Sequence, residues 1–370
     1  MRVLVINTGS SSIRYALFEG KDAIARDAID HVEDYQHGFD SVLAAMRDAG
    51  LLDTAPDAVG HRVVHGGAAF SEATVVDEAA YAAIDALSPL APLHNPPNLA
   101  GIAACRSIWP DLPQVAVFDT AFHKTLPPAA AHYALPRELS DRHGLRRYGF
   151  HGISHSYLAR AAANVLNREL DATNLITLHL GNGASATAIR GGTSVETSMG
   201  FTPLEGLVMG TRSGDIDPAL PAIIARREDL SSDAVEALLN QSSGLVGLCG
   251  ASDMRDVLRL AGGGDTAAKL AVDIFVHRIR KYVGAYSAVV GDVHALVFSG
   301  GIGQHHPWLW RDVCRDLSTI GIEIDDDQTR KDGALPRDVS SARSRVRVLA
   351  IETDEESEIA RQTVAAIDRS

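Results

Sequence analysis

The apolar residues of this chain fall in short bursts divided by small polar turns. Val3-Leu4-Val5-Ile6 is a continuous apolar run, as expected of a strand buried on both faces. The small polar stretch Asn7-Thr8-Gly9-Ser10-Ser11-Ser12 separates it from a second strand, Ile13 to Phe18. The same order recurs half a chain later. Leu175, Ile176, Leu178 and Leu180 run into Gly181-Asn182-Gly183, and Ser185 to Ile189 returns as an alternating strand. Two copies of strand, small turn and returning strand suggest a duplicated fold with one phosphate-gripping hairpin per half, or else two unrelated hairpins.

Between and beyond these hairpins helix and strand patterns alternate. Phe39, Val42, Leu43 and Met46 recur at helical spacing, and Gly50 supplies a stop. Ala58 to Val64 reads as a strand, Glu78 to Leu87 as a helix and Pro89 to Pro97 as a proline-rich loop before another helix to Trp109. Gln114 to Phe118 is a further strand, and a helix follows His151 to near Leu170. Downstream of Pro218, Ser252 to Arg255 marks a helix start and Asp265 to Val290 reads as one long helix, a core element and candidate dimer face. Strands at Ala295 to Phe298 and Val346 to Ile351 precede a terminal helix that opens on acidic residues. This alternation predicts an α/β protein, and 370 residues predict two domains.

Composition narrows the function. The chain is 46% hydrophobic and 22% charged, as in proteins with a large buried core, and no apolar run reaches membrane length. The net charge is −13 with no Lys/Arg-rich run, so nucleic acid and anionic membranes are not expected partners, and an anionic ligand must be caught locally. Three widely spaced cysteines suggest neither a disulfide framework nor a zinc cluster. The N-terminus enters a strand directly, without a leader pattern, so a cytoplasmic location is expected.

Local chemistry then stands out. Glycine N–H groups at Gly181 and Gly183 can cradle phosphate oxygens, and Arg212 stands among small residues that would let its guanidinium meet a phosphate face-on. Arg62 lies in a strand that ends in a glycine pair, a candidate ligand position or an exposed face. Asp119 lies just past the carboxyl end of a strand, where α/β folds place ligands, or it caps a turn. Glycines 300, 301 and 303 end another strand and would allow close approach by a nucleoside. His151 and His155 have metal-pair spacing, but Gly152 marks a helix start and no H-E-x-x-H glutamate is present, so zinc is not expected. There is no Walker A loop and no kinase H-R-D loop.

Taken together, Asn7 to Ser12, His61 to Gly67, Phe118 to His123, Gly149 to Gly152, His179 to Ser185 and Gly210 to Pro218 resemble the acetate kinase family, in order and over nearly the whole chain. The resemblance implies the actin/sugar-kinase/Hsp70 (ribonuclease H-like) fold: two duplicated α/β domains with a nucleotide cleft between them. The first would span residues 1–149, completed by a C-terminal helix at 354–370, and the second 150–353. It implies reversible in-line phosphoryl transfer from ATP to acetate or another short carboxylate, with Mg²⁺ (or Mn²⁺), in a homodimer. Arg62 and Arg212 would clamp the carboxylate and the phosphoryl group, His151 would donate to an equatorial oxygen, and Asp119 matches the catalytic aspartate. Asn7 and Glu355 would hold the metal, largely through water. Arg14 and the loop His179, Leu180, Gly181, Asn182 and Gly183 would grip phosphates. Asp253, Met254, Arg255, Gly301, Ile302, Gly303, Gln304 and His305 would enclose the nucleoside, and Val64, Leu93, Phe150 and Pro203 would form the acyl pocket. Two departures from the family pattern cover three positions: Arg14 stands where the family usually has lysine, and Gln304-His305 where it usually has Glu-Asn.

A carboxylate acceptor, with a pKa near ~4.3, is already a nucleophile at neutral pH and needs no general base. The expected task is therefore positioning and charge neutralisation, with Asp119 orienting an arginine. A hydroxyl-acceptor kinase, with Asp119 as a true base, and a non-catalytic nucleotide switch are the rivals; neither needs two cations at the acceptor.

Overall fold

The structure is a computed structural model that describes residues 1–9, 12–30, 32, 35–331 and 333–369. Ser10 and Ser11 of the first expected phosphate turn, and Ser370 of the terminal helix expected over 354–370, lie outside the described residues. The chain divides into two compact units, residues 1–124 with 150–157 and 354–370, and residues 125–149 with 158–353.

Unit 1 is built on a six-stranded sheet: β1 Arg2–Thr8, β2 Ser12–Glu19, β3 Asp22–Asp30, β4 Ala58–Val63, β5 Thr74–Val75 and β6 Gln114–Phe118, in the order β3-β2-β1-β4-β6-β5. β1, β2 and β3 form an antiparallel meander, β4 and β6 run parallel to β1, and β5 is an antiparallel edge. Unit 2 repeats this plan with β7 Leu175–Leu180, β8 Ala184–Arg190, β9 Thr193–Thr197, β10 Ala295–Ser299, β11 Arg337–Asp338 and β12 Arg347–Ala350. Its order, β9-β8-β7-β10-β12-β11, matches the first sheet strand for strand, including the short antiparallel edge that precedes the last parallel strand in sequence. Two sheets of identical topology are the duplicated fold that the repeated hairpins suggest.

The inner strands are the ones the apolar bursts announce. Every residue of β6 and β10 is buried, as is β1 from Val3 to Thr8. The edge strands β3, β5, β9 and β11 carry no such burst. β3 reads Asp-Ala-Ile-Ala-Arg-Asp-Ala-Ile-Asp and is largely exposed, so its strand conformation comes from pairing with β2.

Caps set several helix limits. Asp265 accepts hydrogen bonds from the N–H groups of Ala267 and Ala268 at the start of Thr266–Val290, and Asp253 and Asp354 cap Met254–Gly262 and Glu355–Ile367. The expected proline-rich loop is shorter than its composition suggests. Pro96 and Pro97 fall in the first turn of Asn95–Ile108, where proline has no helical hydrogen bond to lose.

The terminal helix Glu355–Ile367 packs Ile359, Ala360 and Ala366 against Val3, Val5, Val115 and Val117. Gly60 in β4 permits this approach, since a Cβ there would lie 2.3 Å from Thr363 Oγ1. Relative to the boundary expected after residue 149, residues 125–149 group with unit 2 and 150–157 with unit 1. Tyr148 and Gly149 both donate N–H to Gly200 O inside unit 2, whereas Gly152 donates to Asp119 O at 2.9 Å inside unit 1.

Candidate active site

In unit 1 the carboxyl ends of three parallel strands bring Asn7, Arg62 and Asp119 together. Arg62 stands opposite Val117 in the register of β4 and β6, and Asp119 N donates to Val63 O, so the aspartate lies just beyond the arginine. Arg62 Nη2 and Nε donate to Asp119 Oδ2 at 2.7 and 3.2 Å, and Nη1 donates to Asn7 Oδ1 at 3.3 Å. Asn7 Nδ2 in turn donates to Glu356 Oε1 at 2.9 Å, at the start of the terminal helix. Arg14 stands opposite Asn7 in the register of β1 and β2.

This cluster is acid-rich. Burial opposes the Arg62 charge, yet Asp119, Glu355 and Glu356 outweigh it and hold the guanidinium proton more tightly than usual. Burial, together with Asp119 and Glu356, pushes the Glu355 carboxyl above its ordinary range against the pull of Arg62 and Arg14. Asp119 Oδ1 is buried without a hydrogen-bond partner among the described residues. Surplus carboxylate charge, an orphaned carboxylate oxygen and the amide of Asn7 form an oxygen-rich donor set of the kind a hard divalent cation takes. Among the described residues no group of three or more His, Cys, Asp or Glu side chains is arranged to grip a metal directly.

His151 has φ 56°, a left-handed backbone that is uncommon outside glycine, and it immediately precedes the helix Gly152–Val165. Gly152 is required there, because a Cβ would come 2.1 Å from Asp119 O. His155 is buried in the core, its ring edge-on to His123. Val64 and Phe150 are buried, Phe150 standing edge-on to His65 with ring centroids 5.6 Å apart, whereas Leu93 is 64% exposed.

Two asparagines that sequence reasoning did not select hold the segment after β4. Asn98 accepts from Val64 N at 3.1 Å and donates to Thr8 O at 3.0 Å; Asn95 accepts from His65 N and donates to His65 O. Both are buried on the helix Asn95–Ile108, and their three-residue spacing on an otherwise apolar face was the available signal. Glu356 was also missed, although it adjoins Glu355 in the acidic cap.

In unit 2, Gly181 N donates to Gly183 O and closes the turn between β7 and β8, and Gly210 N donates to Asn182 O at 3.0 Å, joining this turn to the arginine-bearing loop. His179 pairs with Ser185 and Leu180 with Ala184 in the β7–β8 register. A Cβ at Gly303 would touch Leu180, so the short helix Gly300–Gly303 lies against the end of β7. Gly181, Asn182, Asp253, Met254, Arg255, Gly301, Ile302 and His305 line one pocket of about 660 Å³. Ser252 and His306 complete it, the latter unselected from sequence although it adjoins His305. Burial, with His305 and Arg255 near, lowers the His306 pKa. Arg255 forks onto Asp253, whose carboxyl these hydrogen bonds bring down to about 2. Gln304 is buried and donates Nε2 to His305 Nε2 at 2.9 Å, and of the nucleotide residues expected in this unit His179, Leu180, Gly183, Gly303 and Gln304 do not line the pocket.

Arg212 is half-buried on the loop between Gly206 and Asp215. Its Nη1 donates to Pro203 O at 3.1 Å and approaches Met209 Sδ, and no carboxylate pairs with it among the described residues. Burial lowers its pKa. A partly desolvated guanidinium held by a carbonyl and a thioether, with no carboxylate on it among the described residues, is a cation suited to an incoming anion.

The model of the Acetokinase family matches residues 21–361 of this chain. An acetate kinase of Clavibacter michiganensis is 51% identical over 98% of both chains. Among solved structures, Porphyromonas gingivalis acetate kinase superposes with a TM-score of 0.94 at 37% identity over 99% of both chains. A propionate kinase from Francisella tularensis superposes with a TM-score of 0.89 at 39% identity over 98% of both.

Proposed function

We propose, since this chain belongs to the acetokinase family, that it transfers the γ-phosphoryl group of ATP reversibly and directly to acetate, giving acetyl phosphate and ADP. The observation that carries the reading is Arg212: a half-buried guanidinium without a carboxylate partner among the described residues, in the same unit as the 660 Å³ pocket.

Acetate is ionised at neutral pH and attacks phosphorus without losing a proton, so the residues need only orient two anions and neutralise them. Arg62 receives the acceptor carboxylate, and Asp119 orients Arg62 through its two hydrogen bonds. Arg212 meets charge as it develops on the transferring group, and His151 donates to one of its oxygens. The turn from His179 to Gly183 and Arg14 hold phosphates, while Asp253, Met254, Arg255 and Gly301 to His305 hold the nucleoside. Val64, Phe150, Leu93 and Pro203 receive the acyl group. Asn7 and Glu355 would hold Mg²⁺, or Mn²⁺ in its place, which would supply charge neutralisation to the phosphates. The free thiols of Cys105, Cys249 and Cys314 support a reducing, cytoplasmic setting, and a homodimer is part of the same proposal.

The similarity to a propionate kinase favours propionate as a second acceptor. Hydroxamate trapping of acyl phosphate with acetate, propionate and butyrate, each against ATP, GTP and pyrophosphate, tests both readings. Acetyl hydroxamate must form with ATP; its absence under every condition overturns the proposal.

A further inference from the structure

The loop that carries Arg212 is closed at a neck. Gly206 N donates to Asp215 Oδ1 at 2.8 Å and Asp215 N donates to Gly206 O at 3.0 Å. Within the loop, Met209 N donates to Arg212 O at 3.1 Å, a tight turn that sets the direction of the arginine. Gly206 has φ 109°, and a Cβ there would lie 2.6 Å from Ser198 O, so the neck has no room for a side chain at this position.

The long helix Thr266–Val290 holds this neck from outside. Arg278 Nη1 donates to Gly206 O at 2.8 Å and Nη2 donates to Asp215 O at 3.1 Å. Arg278 also stands 3.6 Å from Asp215 Oδ2, and Tyr282 OH donates to that oxygen at 2.9 Å. Arg278 and Tyr282 lie four residues apart, on one face of the helix. Both oxygens of Asp215 and both neck carbonyls are thus used. Neither helix residue lines the nucleotide pocket. Arg212 has no carboxylate among the described residues to orient it and is held by Pro203 O and Met209 Sδ alone among the contacts described, so where its guanidinium stands depends on the loop backbone that carries it, and a displacement of about 1 Å in a reacting geometry costs about 100-fold in rate.

We infer that Asp215, Arg278 and Tyr282 are positioning residues for phosphoryl transfer: they bolt the neck of the arginine loop to the long helix and thereby place Arg212. They act through Arg212 and touch neither nucleotide nor acceptor. The inference rests on the role proposed above for Arg212.

Steady-state kinetics on the full-length protein test it, with Asp215→Asn, Tyr282→Phe and Arg212→Ala alone and with Asp215→Asn combined with Arg212→Ala. Asp215→Asn and Tyr282→Phe should each lower kcat about 10-fold or more while the KM for ATP stays within about 2-fold. Tyr282→Phe keeps the ring that packs on Tyr286 and carries the test should the aspartate variant fail to fold. Once Arg212 is alanine, Asp215→Asn should lower kcat by less than about 3-fold further, because the group it positions is gone. If Asp215→Asn retained its full effect in that background, or if Tyr282→Phe left kcat unchanged, the inference would be overturned. An Arg212→Ala variant with normal kcat would instead overturn the role of Arg212 itself.

Discussion

Arg62 directs two guanidinium nitrogens, Nη2 at 2.7 Å and Nε at 3.2 Å, at a single oxygen of Asp119, while the second oxygen is buried without a hydrogen-bond partner among the described residues. An aspartate bound in this way is an orienting group for the arginine. Its free oxygen lies within a cluster that also holds Glu355 and Glu356.

Asp119→Asn should lower kcat by about 100-fold, since the neutral amide loses the ion pair that fixes Arg62. The pH profile of the residual rate should stay as flat as that of the native enzyme. If the native rate followed a titrating base that vanished in the variant, a hydroxyl-type acceptor would be indicated.

If Glu355 holds the metal as proposed, Glu355→Gln should raise the Mg²⁺ concentration for half-maximal rate by about 10-fold, because a carboxylate ligand is lost. Its melting temperature without nucleotide should not fall, since Glu355 sits among Asp119 and Glu356 and its charge is disfavoured there. An unchanged Mg²⁺ dependence would assign Glu355 to the helix cap alone.

Val64→Ala should shift kcat/KM toward propionate and butyrate relative to acetate. Val64 is buried two residues after Arg62 in sequence, and removing its methyl groups opens apolar volume without removing a charge. Each added methylene gains about 0.8 kcal/mol where there is room, and such pockets discriminate one methylene by about 10 to 200-fold. An unchanged acetate-to-butyrate ratio would remove Val64 from the acyl pocket.

His61 gives a pH dependence of stability. It is buried in β4 with its ring bonded to Gln114, and burial lowers its pKa to about 4 even though that bond opposes the shift. Below pH ~6.5 the unfolded chain takes up a proton that the folded chain refuses, so stability falls as pH drops from ~6.5 toward 4. His61→Phe should reduce the slope of unfolding free energy against pH by about one proton across that window. Parallel slopes for the two proteins would show that His61 titrates alike folded and unfolded.

Signals that live within a few residues were legible in the chain itself. Apolar bursts located β1, β2, β4, β6, β7, β8, β10 and β12, the caps Asp253 and Asp265 announced their helices, and the two similar hairpins announced the repeat that the matching sheet orders make explicit. These follow from backbone geometry and side-chain periodicity, which act locally. The separated motifs also carried the family.

Tertiary structure decided what depends on partners distant in sequence. The edge strands β3, β5, β9 and β11 exist because a neighbour supplies their hydrogen bonds, and their own residues do not require an extended backbone. Asn7 meets Glu356 across 349 positions, and Tyr282 meets Asp215 across 67. Nothing in the spacing of those residues distinguishes them from solvated charges, because a polar side chain acquires its partner only when packing brings two surfaces together and removes the competing water.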